Sequence, residues 1–140
     1  MKPIKYPLAK VLSTVLLSIF IGTFPTIATA IGSLIVYEKH LGGMFGFINL
    51  AIVLIPAVAA LFFNVIGAIV ILLIKGYSKD TTSAPIINAL FGINLLSIAF
   101  LHHRLDILIV INLIGIIFGA ITGFVIEHLV VGKETPNSSN

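Results

Sequence analysis

Four histidines and five carboxylic acids are the side chains of this sequence that could move a proton or hold a metal near neutral pH. His40, His102 and His103 stand in two short polar segments, with Glu38 and Asp106 beside them. Imidazoles with carboxylates are a donor set for a transition metal such as zinc, which makes these three histidines the metal candidates. The competing reading is simpler, since adjacent histidines in a short turn more often just meet water. Glu127 is the deepest acid, about twenty residues beyond Asp106 on one apolar segment, with His128 next to it. It is expected to pair with Lys75, Lys79 or Lys133, or to meet water at a membrane interface. The alternative is an ion- or proton-coupled carboxylate at a pore mouth. The chain has no cysteine, which excludes disulfides, thiolate metal sites and a thiol nucleophile. No nucleophile, base and orienting group stand together, so the sequence reads as that of a protein that is not an enzyme and needs no cofactor.

What must position these residues follows from composition. Of 140 residues, 59% are hydrophobic and 9% charged, and the mean hydropathy is +1.20. A soluble domain carries about 25% charged residues. The chain is therefore expected to be an all-α integral membrane protein with the lipid bilayer as its first partner. The net charge of +3 does not indicate nucleic acid, because the lysines are spread along the chain rather than gathered on one polar segment.

Charged residues divide the chain into uncharged segments at 11–37, 40–74, 81–103 and 107–126, each long enough to span a core of about 30 Å. These predict four transmembrane helices over about 10–37, 44–74, 84–102 and 106–131, one membrane domain over 1–132, and a polar tail over 133–140. The second is expected to begin after Gly42-Gly43 and to bend at Pro56. Ser83 and Asp106 are predicted to cap the third and fourth. Lys2, Lys5, Lys10, Lys75, Lys79 and Lys133 fall on one side of this arrangement, Lys39 and Arg104 on the other. That bias predicts both termini in the cytoplasm and places the protein in the cytoplasmic (inner) membrane. Tyr6, Tyr37 and Tyr77 fall at span ends, where amphipathic rings favour the headgroup level.

The first segment admits a second reading. Basic residues through Lys10, an apolar run to Phe24, then Pro25 and Ala28-Thr29-Ala30 have the layout of a cleaved signal peptide. Against it, Thr14, Ser18, Gly22, Thr26, Thr29 and Ser33 share one helix face that runs across the supposed cut. The expectation is an uncleaved helix kinked at Pro25. The proline would free the carbonyl of Ile21, and Thr26 or Thr29 could resatisfy the backbone.

Every predicted span carries a small or polar seam. On the fourth, Gly115, Gly119 and Gly123 make two overlapping G-x-x-x-G units, with Asn112 and Glu127 extending their face. The second offers Asn49, Ala57, Ala60, Asn64 and Gly67, the third Ala84, Asn88, Gly92 and Ala99, and the first Gly22. Asn94 lies about 120° from the third seam on a continuous helix and would need another neighbour, which would suit a second interface. The Ile-Asn-Leu tripeptides at 48–50, 93–95 and 111–113 hint at an internal repeat. Such seams predict a compact bundle, a homo-oligomer, a complex with another membrane protein, or a combination. Two functions fit: an accessory or immunity-type membrane protein acting through helix contacts, or a minimal oligomeric transporter or channel.

Overall fold

The computed structural model describes residues 6–41, 47–77, 84–100 and 104–131, with side chains placed for 6–36, 53–75, 84–100 and 104–129. The described residues are helical almost throughout, and no strand occurs among them. Four helical stretches follow one another. The first comprises Leu8–Leu17, a π-helical turn Ser18–Thr23 and Phe24–Leu41. The second is Phe47–Tyr77, with Pro56 inside it. The third is broken into Ala84–Phe91 and Leu95–Phe100. The fourth is Leu105–Val125, which runs on through a second π-helical turn, Ile126–Val131. Three stretches, 8–36, 53–75 and 105–129, are long and apolar enough to cross a membrane, while 84–100 is shorter.

The packing forms a ring in which the first helix touches the second and fourth, and the third touches the same two. Leucine, isoleucine and phenylalanine side chains such as Phe20, Leu61, Ile86 and Ile117 point outward, while small and polar residues fill the interior. This inverts the pattern of a water-soluble bundle. Lipid is as apolar as leucine, so close approach and hydrogen bonding, rather than apolar burial, must select the inward face. Two apolar clusters close the interior: Ala68, Ile71, Ala84, Ile87 and Ile126 toward one end, and Ala30, Ile107 and Ile111 toward the other.

The kink expected at Pro25 takes a specific form. The helix widens just before the proline, and the N–H of Phe24 donates to the carbonyl of Ile19, five residues back. A π turn relieves the clash between a proline ring and the carbonyl four residues earlier. Both hydroxyls bond the local backbone, as expected, at carbonyls other than that of Ile21. Thr26 donates to the Gly22 carbonyl at 3.4 Å and Thr29 to that of Pro25 at 2.8 Å. The extra residue in the turn brings both Gly22 and Thr23 inward, and Thr23 donates to the Ala60 carbonyl of the second helix at 3.4 Å.

Two further expectations are corrected. The third helix is not continuous over 84–102, because it opens at Gly92-Ile93-Asn94. Asp106 does not cap the fourth helix: Arg104 holds the flanking position without a side-chain cap bond, and Asp106 lies in the first turn. Ser83 lies outside the described residues.

Candidate functional site

The third and fourth helices meet backbone to backbone. Ala84, Asn88 and Gly92 lie opposite Gly123, Gly119 and Gly115, an antiparallel register that advances four residues at a time on both strands of contact. Gly92 and Gly115 each present Cα to the other's carbonyl oxygen, and Gly123 lies against the carbonyl of Ala84. At Gly119 an added Cβ would stand 2.6 Å from the carbonyl oxygen of Asn88. This proximity permits Cα–H···O contacts along the seam. One stronger bond anchors its middle, from Asn88 Nδ2 to the Gly119 carbonyl at 3.0 Å. The G-x-x-x-G groove predicted for association is thus occupied by the chain's own third helix. Ala99, assigned to the same seam, lies beyond the break and is exposed.

Two other glycines receive asparagine oxygens. A Cβ on Gly22 would fall 2.5 Å from Asn64 Oδ1 and 3.2 Å from Thr122 Oγ1. One on Gly67 would fall 2.5 Å from Asn88 Oδ1 and 2.9 Å from Phe91 Cβ. Among the described residues neither asparagine oxygen has a conventional donor, and each faces a glycine Cα instead. Their amide nitrogens are satisfied, Asn64 bonding the Ala60 carbonyl at 2.8 Å. Gly22→Ala should push the Asn64 amide from its place and cost about 1–2 kcal/mol, within the range for overpacking against a side chain that can rotate. Thermal unfolding in detergent, followed by circular dichroism, reads this loss directly.

A polar network holds the break in the third helix. Asn94 begins the segment Leu95–Phe100 as an N-cap: its Oδ1 accepts from the Ser97 N–H at 3.0 Å and from the Ser97 hydroxyl at 2.8 Å. Its Nδ2 donates to the Pro56 carbonyl at 2.9 Å, tying the break to the second helix. Its backbone N–H, released by the break, donates to Asn112 Oδ1 at 2.8 Å, and Asn112 Nδ2 donates to the Leu108 carbonyl at 2.9 Å. Asn94 and Ser97 are buried, so any donor left unpaired here would meet neither water nor lipid polarity. Asn94 does find neighbours away from the Asn88–Gly92 seam, as its angle had implied, but they are the second and fourth helices of the same chain. The Ile-Asn-Leu tripeptides around Asn94 and Asn112 occupy a helix break and a helix interior, and so are not structural equivalents.

At the opposite end of the bundle, Lys75 Nζ donates to Glu127 Oε1 at 3.0 Å. The Lys75 side chain is 13% exposed and that of Glu127 30%. The π turn from Ile126 carries Glu127 toward the second helix, and His128 stacks on Phe124 with ring centroids 4.0 Å apart. The sequence had offered three lysines to Glu127, and the described geometry pairs it with Lys75. Glu127→Gln should cost about 1–2 kcal/mol, between the values for exposed and fully buried pairs. The charge-swapped pair Lys75→Glu with Glu127→Lys should recover at least half of that loss in the same melting experiment.

His102 and His103 lie outside the described residues, as do the side chains of His40 and Asn49. Among the described residues, no group of three or more His, Cys, Asp or Glu side chains is placed to hold a metal. Sequence reasoning missed the helix break and the inward turn of Thr23. The break had a readable signal: Gly92 suits a helix end, and Asn94 with Ser97 three residues later suits a helix start. No protein-family model, no curated protein and no solved structure matches this chain.

Proposed function

We propose that this chain is a four-crossing protein of the cytoplasmic membrane, with both termini inside, that acts as an accessory or immunity-type subunit through its lipid-facing helix surfaces. The observation that carries this reading is the filled interior. The third helix lies backbone to backbone on the fourth, and the asparagines between the helices bond within the chain. Such an interior is a scaffold more than a conduit. Within the described interior, the buried polar residues are all uncharged threonines, serines and asparagines. The third crossing is the short one. Its 17 residues would extend about 26 Å as an α-helix, just under the thickness of a hydrocarbon core. An uncleaved first helix belongs to the same reading, because Gly22 and Thr26 before the Ala28-Thr29-Ala30 stretch and Ala30 at its end are all buried in one bundle. An intact mass beginning at Ile31 would contradict it.

The second reading, a minimal transporter or channel, has one observation in its favour. A helix broken at membrane depth and stabilised by side-chain amides is a feature of transporter binding sites. Proteoliposomes separate the two. The interaction reading expects proton and monovalent-cation flux equal to that of protein-free vesicles. Saturable flux that disappears in Asn94→Leu, with the variant still folded, would overturn it in favour of transport.

A further inference from the structure

The first and fourth helices are in contact around Gly22 and Thr122 and again through Ala30, Ile107 and Ile111 toward the end that carries Asp106, with a surface cleft beside that second contact. There they leave a side-open groove of about 430 Å³, with Thr29, Gly32 and Ser33 on one wall and Ile107 and Val110 on the other. An added Cβ on Gly22, Gly67, Gly92, Gly115, Gly119 or Gly123 would meet another part of the chain, whereas one on Gly32 would meet nothing within 4 Å. The Thr29 hydroxyl is turned back onto its own helix, so the wall it presents is apolar. Asp106 stands at the mouth with its side chain 54% exposed, and Arg104 Nε lies 3.7 Å from its Oδ1. The two form an ion pair, and the two oxygens of a carboxylate have lone pairs enough to accept from a second cation as well.

We infer that this groove is a phospholipid site, taking one acyl chain between the two helices and a zwitterionic, primary-amine headgroup at its mouth. Size favours a chain over a partner helix. A helix with its side chains is about 10–12 Å across, so a single turn would use the whole volume. Charge selects the headgroup. An ethanolamine ammonium donates hydrogen bonds to the Asp106 carboxylate, while its phosphate lies on the Arg104 side. An anionic glycerol headgroup brings no cation to Asp106, and choline brings one without N–H donors. The inference rests on the membrane reading above but fails separately from it, since the predicted topology can hold while the groove shows no lipid preference.

The test is native mass spectrometry of the full chain, released from nanodiscs containing equal parts of dioleoyl phosphatidylethanolamine, phosphatidylcholine and phosphatidylglycerol. The ethanolamine lipid should be retained about threefold over either other lipid, the scale of one interfacial ion pair. Asp106→Asn should remove that preference, and Gly32→Leu should lower retention of all three lipids with an unchanged melting curve. Equal retention by the native chain would overturn the proposal, as would a preference that survives Asp106→Asn. So would a Gly32→Leu variant that keeps its lipid but loses a dimer or a bound protein, because the groove would then seat a polypeptide.

Discussion

Gly123→Leu and Gly119→Val are expected to abolish assembly of the bundle, leaving a chain that inserts but does not pack its third helix. The reason is what each Cβ would strike. At Gly119 it is the backbone carbonyl of Asn88, 2.6 Å away, and at Gly123 it is the carbonyl of Ala84. A side chain in the way can rotate, but a helical carbonyl can move only with its helix. Even alanine at either position should cost about 3 kcal/mol, the upper end of the overpacking range. It should also lengthen the Asn88–Gly119 bond that anchors the seam. Gly32→Ala is the internal control. With open space around it, that substitution should be neutral or stabilise by up to about 1 kcal/mol, the ordinary gain of alanine over glycine in a helix. Melting curves of the three alanine variants, recorded by circular dichroism in one detergent, give the comparison. Equal midpoints for Gly32→Ala and Gly119→Ala would contradict the backbone contact.

Asn94→Leu carries the second large effect. The substitution removes the helix cap and so leaves the Ser97 N–H buried without its acceptor, at a cost of about 1–2 kcal/mol. It also removes the bond to the Pro56 carbonyl, although interhelical bonds of this kind average only about 0.6 kcal/mol in membranes. A total of about 2–2.5 kcal/mol is expected. Asn112→Leu should cost less, about 1–2 kcal/mol, because it orphans only the Asn94 backbone N–H at the break. The bond between these two residues is donated by the Asn94 backbone N–H, which Asn94→Leu keeps, so the two single losses should add to within about 0.5 kcal/mol in the double variant. A larger departure from additivity would mean that the break rearranges as a unit when either side chain is lost.

Much of this architecture was legible in the residues. The spacing of charges located the four helical stretches, and small residues four apart identified the faces that meet. Ala84, Asn88 and Gly92 were assigned to one seam and Gly115, Gly119 and Gly123 to another, and the two proved to be each other's partners. What the sequence left open was whether a glycine groove receives its own chain or a second one. Spacing alone is the same in either case, and only the antiparallel register of the third and fourth helices decides. The break at Gly92–Asn94 was hidden for another reason. Apolar residues continue on both sides of it, and hydropathy does not register where backbone bonds stop. The π turns before Pro25 and at Glu127 were hidden likewise, because one added residue per turn shifts the inward face without changing the composition.

The central claim is that all four stretches cross the membrane, including the short and broken third. The cysteine-free sequence allows a direct measurement: single cysteines at Pro3, Gly42, Asp80, His103 and Ser138, probed in intact cells with a membrane-impermeant maleimide. Positions 42 and 103 should react from outside, and positions 3, 80 and 138 only after the membrane is permeabilised. Protection of position 103 alongside 80, or reaction of 80 from outside, would contradict a third crossing and the four-helix account with it.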